Sequence, residues 1–305
     1  MTSRPLVIAI VGPTAAGKTG IAVEVARRLP VEVISADSRQ VRQGMSIGTA
    51  APTLAEVAVV PHHIVGVVAP DAPWAITDWL DLARAAVDEV HARGRIPLLV
   101  GGTGQYVWAL LEAWEVPAVP ANPSLRTRLE ETAAVEGHEV LHAQLAAVDP
   151  ASAARIDPRN VRRVVRALEI VEATGAPVPP LEPRDPGFDA RIIGLRWSRE
   201  EIHRRADARV DVMFAAGLVD ETRALVGRYG RDFEALRSIG YREALAVLDG
   251  TMTMAQAVER TRIETHRLIR MQAAWFREDD PRIQWVEGAN VPAAVEAVVS
   301  AAGST

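Results

Sequence analysis

The chain has 305 residues, 49% of them hydrophobic, and a formal charge of −5. That composition is ample for a packed core in one large or two modest domains and excludes a disordered chain. The absence of cysteine excludes disulfides, thiolate metal sites and cysteine nucleophiles.

In chain order, the apolar run 6–11 reads as a buried strand. It is too short to span a bilayer and carries no cleavable small-residue site, so a cytoplasmic protein that does not engage membranes is expected. The run leads directly into Gly12-Pro13-Thr14-Ala15-Ala16-Gly17-Lys18-Thr19, the G-x-x-x-x-G-K-[ST] spacing of a P-loop, and Lys18 is the only lysine in the chain. A helix follows over 19–29, with Ile21, Ala22 and Val25 on one face. The glycines let backbone N–H groups converge on phosphate oxygens, the helix N-terminus adds its positive dipole end, and the Thr19 hydroxyl can bind Mg²⁺. This motif fixes a phosphate without saying which molecule carries it.

Residues 31–34 form a second strand that ends at the polar loop Asp37, Ser38, Arg39 and Gln40. A helix over 79–93, closed by Gly94, precedes a strand over 96–100 that runs into Gly101-Gly102-Thr103-Gly104. In a parallel sheet the ligand lies beyond the carboxyl ends of the strands, so the loops 12–19, 37–40 and 101–104 should converge on one site. Proline-rich stretches follow at 116–120, 122–123 and 177–186. Helical patterns cover 125–135, 160–173, 199–229 and 255–276, and two strands, 190–197 and 282–286, return to the sheet.

The charge is unevenly spread. Residues 155–277 hold 22 arginines against 18 acidic residues, while the flanking parts are acidic. A basic half joined to an acidic one suits nucleic acid, although arginine-rich helices with solvated faces give the same count. Arg162, Arg163 and Arg166 recur at helical spacing opposite Val161, Val164, Val165 and Leu168. His62 and His63 are adjacent but have no third ligand at metal spacing, which favours a structural or substrate-positioning role.

Several separated blocks together resemble one family, the bacterial tRNA dimethylallyltransferases. They are GPTAAGKT (12–19), ISADSRQV (34–41), GMSIGTA (44–50), PHH (61–63), LLVGGTGQYV (98–107), RALEIVEATGAP (166–177), RVDVMFAAGLVDETRAL (209–225), LRSIGYREAL (236–245) and MQAAWFR (271–277). The resemblance implies an α/β fold, a P-loop NTPase-like parallel sheet flanked by helices, with a helical insertion domain for tRNA. It divides the chain into a catalytic core over 1–120, completed by the strands near 190–197 and 282–286, and a mainly helical tRNA-binding part over 121–186 and 199–269. It implies transfer of a dimethylallyl group from dimethylallyl diphosphate to N6 of the adenosine 3′ of the anticodon, with Mg²⁺ as cofactor; a monomer is expected.

On that resemblance Gly12 to Thr19 bind the diphosphate, with Lys18 and Thr19-bound Mg²⁺ stabilising the leaving group. Asp37 matches the family's general base, and Thr103 matches a threonine near the target nucleotide, its flanking glycines letting a base approach the backbone. Asp37 as a water-mediated Mg²⁺ ligand or a helix cap is the alternative. The tRNA contacts carried over are Asp37, Ser38, Arg39, Gln40, Thr103, Arg126, Arg162, Arg163, Arg166, Arg237, Tyr241, Arg242, Arg270, Gln272, Trp275 and Arg277. Mixing arginine with Tyr241 or Trp275 suits backbone neutralisation plus base stacking, although Trp275 and Phe276 equally suit a core.

The chain departs from the family pattern at Arg42, Ser46 and Ala51, where tyrosine, aspartate and lysine are usual, at Ile64-Val65-Gly66, and at Met271. Two other readings stay open: a P-loop kinase that holds ATP under a lid near Arg126 and Arg128, and a noncatalytic RNA-binding descendant of the enzyme.

Overall fold

The protein, seen as a computed structural model, is described over residues 4–303. In chain order it runs β1 (Leu6–Val11), α1 (Lys18–Ala26), β2 (Val31–Ala36), α2 (Ser46–Thr49), α3 (Leu54–Val59), β3 (His62–His63), α4 (Ile76–Ala92), β4 (Ile96–Gly101) and α5 (Gly104–Leu111). It continues with α6 (Pro123–Val135), α7 (His138–Val148), α8 (Pro150–Arg155), α9 (Val161–Thr174), β5 (Asp189–Arg196), α10 (Arg199–Ala215), α11 (Leu218–Tyr229), α12 (Tyr241–Leu248), α13 (Met254–Ala273), β6 (Ile283–Glu287) and α14 (Val291–Gly303). No helix among the described residues is long and apolar enough to cross a membrane.

The six strands form one parallel sheet in the order β3-β2-β4-β1-β5-β6. Every residue of β1 and β2 is buried. That explains why both read as continuous strands with no polar face: helices cover the sheet on both sides. The register aligns the carboxyl ends of the three site strands, since Val11 and Ala36 both pair with Gly101. The three loops that leave those strands therefore start from one edge. Glycine is required at 101, where a Cβ would come within 2.1 Å of the Ala36 carbonyl oxygen.

Two compact units divide the chain, one comprising 1–113 with 184–305 and the other 114–183. The sheet unit thus includes 199–269, which the sequence grouped with 121–186. The reason lies in packing: Val210, Met213, Phe214 and Leu218 form a core with Met45, Phe233, Leu236 and Tyr241 within that unit. The helix expected over 199–229 is two helices, broken where Gly217 takes φ +98°. His62 and His63 form the edge strand. His63 Nε2 lies 2.7 Å from Glu32, which also receives Arg93, so the pair belongs to the framework of the sheet.

The smaller unit is a helical cluster, α6 to α9, around Leu125, Leu129, Leu141, Leu145, Val164 and Val165. At its edge the Glu169 carboxylate, 1% exposed, accepts from Arg126 at 2.8 Å, from the Asn122 N–H at 2.7 Å and from Arg166. Burial alone would raise its pKa, but Arg126, the Asn122 N–H and Arg166 outweigh that and hold it at about 2. Glu169→Ala leaves both guanidiniums and the N–H without their acceptor and should cost about 1–3 kcal/mol. The folded carboxyl titrates below the unfolded one, so its contribution is present above the ordinary value of 4.5 and is lost as pH falls to about 2. In thermal denaturation the wild type's advantage over Glu169→Ala should shrink across that window.

Candidate active site

Beyond β1 the loop 12–17 wraps so that its carbonyls face the protein. Lys18 donates to the carbonyls of Gly12 at 2.9 Å and Pro13 at 2.8 Å. Arg205 donates to Ala15 at 2.9 Å and the Trp197 indole to Ala16 at 3.2 Å, while the Arg205 guanidinium lies 4.3 Å over the Trp197 ring. Arg209 reaches the Thr14 hydroxyl at 3.1 Å and the Thr49 carbonyl at 3.2 Å. With these carbonyls engaged by protein donors, the remaining N–H groups and the start of α1 are left for an anion.

Charge reinforces this arrangement. Burial lowers the Lys18 pKa to about 8, opposed by the charge of Asp37 and assisted by that of Arg209. Burial also lowers Arg209, again opposed by Asp37. Lys18 and Arg209 thus both feel the charge of Asp37, and Arg205 adds a further cation beside the loop.

Asp37 stands at the end of β2. Its Oδ1 accepts the N–H groups of Arg39 at 2.8 Å and Gln40 at 3.3 Å, which fixes the carboxylate plane, and Oδ2 has no protein partner among the described residues. Thr103 Oγ1 accepts the Ser38 N–H at 3.1 Å, and the Thr103 N–H returns to the Ala36 carbonyl at 3.2 Å. The loops 12–19, 37–40 and 101–104 therefore do meet as one site. Gln40 extends from it to the Ala50 carbonyl at 3.1 Å and to Ser35.

The glycines around Thr103 do something different from what their pattern suggested. A Cβ on Gly102 would meet Gln272 at 2.5 Å, and one on Gly104 would meet Trp275 at 2.2 Å. The close approach they permit is that of the chain's own Gln272, in the last turn of α13, and Trp275 just beyond it. Trp275 packs there with its carbonyl accepting the Trp108 indole N–H at 3.0 Å, and Phe276 is buried.

Among the residues expected to face tRNA, Tyr241 is corrected most sharply. It is fully buried, and its hydroxyl donates to Glu221 at 2.5 Å while accepting the Gly48 N–H at 3.2 Å, so no ring face is available for stacking. Glu221 also accepts from Ser46 and Ile47, and the segment 46–49 is thereby pinned to α11. Gln272 is turned into the phosphate loop, accepting the Thr14 N–H at 2.8 Å. Arg126 and Arg166 are occupied by Glu169, Arg242 by Glu243, Arg237 by Asp232 and Arg277 by Asp279. Arg39 and Arg270 in the sheet unit, and Arg162 and Arg163 in the helical unit, are exposed with no acidic side-chain partner among the described residues. Arg42 is buried and donates to the carbonyls of Ala69 at 2.9 Å and Ala72 at 2.6 Å, so this departure supports a loop.

Sequence reasoning missed Arg205, Arg209 and Trp197. Arg209 opens a block that was recognised, but nothing local marked it. Its placement depends on α10 packing against α13, where the His203 and His266 rings stack at 3.9 Å and Arg262 pairs with Asp211 at 2.6 Å.

A family model for IPP transferases matches residues 40–279, and one for isopentenyl transferases matches 5–62. A relative from Chloroflexus aggregans named tRNA dimethylallyltransferase is 49% identical over 272 residues, 88% of this chain and 92% of its own. The crystal structure of the full-length tRNA isopentenylpyrophosphate transferase from Bacillus halodurans matches with a TM-score of 0.71 at 37% identity, covering 98% of this chain and 96% of that one. A eukaryotic dimethylallyltransferase, captured in crystallographic snapshots acting on tRNA, matches with a TM-score of 0.78 at 25% identity over 98% of this chain and 77% of its own. With a matched sheet, a phosphate loop in place and this extent of identity, the chain belongs to the tRNA dimethylallyltransferase family.

Proposed function

We propose that the chain transfers a dimethylallyl group from dimethylallyl diphosphate to N6 of the adenosine 3′ of the anticodon in tRNA. The observation that carries this reading is the meeting of three loops: the phosphate loop with Lys18, braced by Arg209 at Thr14, the loop that fixes Asp37, and the loop of Gly102 and Thr103 that touches both. As the C1–O bond breaks, negative charge builds on the departing diphosphate. Lys18 moves from the carbonyls of Gly12 and Pro13 to meet it, Arg209 adds a second cation, and the loop N–H groups bind its oxygens. The adenine amino group is a poor nucleophile until its proton begins to leave. Asp37, held through Oδ1 with Oδ2 open, takes that proton. Thr103, tied to the Asp37 loop through the Ser38 N–H, positions the base.

Mg²⁺ fits the residues present. The Thr19 hydroxyl is in the first turn of α1, with no hydrogen-bond partner among the described residues. That donor set suits an ion held mainly by substrate phosphates and water, which would further neutralise the leaving group. A kinase reading has less support, because Arg126 and Arg128, the arginines assigned to its lid, pair with Glu169 and Glu172. Binding of tRNA is assigned to the unpaired arginines, Arg39 and Arg270 in one unit and Arg162 and Arg163 in the other.

Three measurements test this. Dimethylallyl diphosphate with Mg²⁺ should raise the melting temperature more than ATP does, and the shift should diminish as pH rises above about 8, where Lys18 loses its proton. A larger response to ATP would favour the kinase. Asp37→Asn should keep both substrates bound while single-turnover chemistry slows by about 10²–10⁴; loss of diphosphate binding with unchanged chemistry would make Asp37 a metal-site residue. Replacing Arg162 and Arg163 together with alanine should weaken tRNA binding and flatten its dependence on log salt by somewhat less than about 1 per lost phosphate contact, with little change for the diphosphate. An unaltered slope would mark them as a solvated face.

A further inference from the structure

The last turn of α13 points neighbouring residues in opposite directions. Arg270 and Met271 are exposed, Met271 at 59%, whereas Gln272 enters the carboxyl edge of the sheet. Its Oε1 accepts the Thr14 N–H at 2.8 Å. Its Nε2 occupies the space a Gly102 side chain would need, where a Cβ would stand 2.5 Å from Nε2 and 3.0 Å from the Gly12 carbonyl oxygen. The amide thus fills the gap between the phosphate loop and the glycine turn after β4.

The grip on Thr14 has a consequence for Lys18. The Pro13 carbonyl and the Thr14 N–H belong to one planar peptide, in which they point opposite ways. Gln272 holds that peptide by its N–H, and Lys18 donates to its carbonyl at 2.8 Å from the other side. Rotating the peptide would withdraw the carbonyl from Lys18; Arg209 holds only the Thr14 side chain, and the one other bond to this peptide is the long turn bond from the Ala16 N–H to the Pro13 carbonyl at 3.3 Å, so Gln272 provides the sole grip on its N–H among the described residues. We infer that Gln272 is a positioning residue of the phosphate loop and not an RNA contact: it sets the Pro13–Thr14 peptide, and through it the place from which the Lys18 ammonium meets the diphosphate. This rests on the diphosphate reading given above.

The test compares Gln272→Met, which keeps length but loses the acceptor, with Gln272→Glu, which keeps the acceptor and adds a charge. Gln272→Met should raise KM for dimethylallyl diphosphate about three- to tenfold, the scale of one hydrogen bond, and lower kcat, with KM for tRNA and the melting temperature nearly unchanged. Gln272→Glu should bind the diphosphate more weakly because of its charge, yet recover kcat at saturation because the peptide stays in place. A rise in KM for tRNA with none for the diphosphate, an equal fall of kcat in both variants, or wild-type kinetics in Gln272→Met would each overturn the inference. Calorimetric titration with inorganic pyrophosphate separates the two levels. Wild-type protein that binds pyrophosphate but gains nothing from dimethylallyl diphosphate would sink the substrate reading, and the ratio of pyrophosphate affinities between wild type and Gln272→Met would still judge the brace.

Discussion

An imbalance of charge in a partly desolvated recess governs the architecture around the phosphate loop. Lys18 and Arg209 face a single carboxylate, Asp37, and burial disfavours the charged form of both cations. A protein tolerates such an arrangement only if the groups are held mechanically. Here they are: Arg209 is anchored to Thr14 and Thr49, Lys18 to Gly12 and Pro13, and Asp37 to the N–H groups of its own loop. On the proposed reading, a diphosphate would bring the negative charge that these two cations favour. Arg205 and Trp197 fix the loop further through the Ala15 and Ala16 carbonyls.

How much of this can be read from the sequence depends on the range of each interaction. The phosphate loop, β1, β2, β4 and the convergence of their loops are legible because they follow from local motif spacing and from the rule that ligands lie beyond the carboxyl ends of parallel strands. Arg205, Arg209 and Gln272 are not legible as parts of that site, since each reaches it across 190 or more residues of chain. Their positions follow from how α10 and α13 pack, which no local pattern encodes.

Tyr241 and the glycines at 102 and 104 show the converse failure. An aromatic among arginines looks like a stacking platform, but the hydroxyl of Tyr241 has a buried partner in Glu221 and its ring fills space beside Gly48. Glycines in a site loop suggest room for a ligand, yet here the room is filled by Gln272 and Trp275. Likewise an arginine stripe on α9 looks uniform in sequence, while the fold pairs Arg166 with Glu169 and leaves Arg162 and Arg163 with no acidic partner among the described residues. Composition reports which groups exist; only tertiary pairing decides which remain free for a partner.

The separation between the loop and its braces bears on the order in which the molecule assembles during synthesis. Residues 12–19 leave the ribosome early, but Trp197, Arg205 and Gln272, which tie the Ala16 and Ala15 carbonyls and the Thr14 N–H, emerge only after the whole helical unit 114–183. Strand β1 likewise waits for β5 as its second neighbour. A nascent chain therefore carries the phosphate motif long before the side chains that brace it.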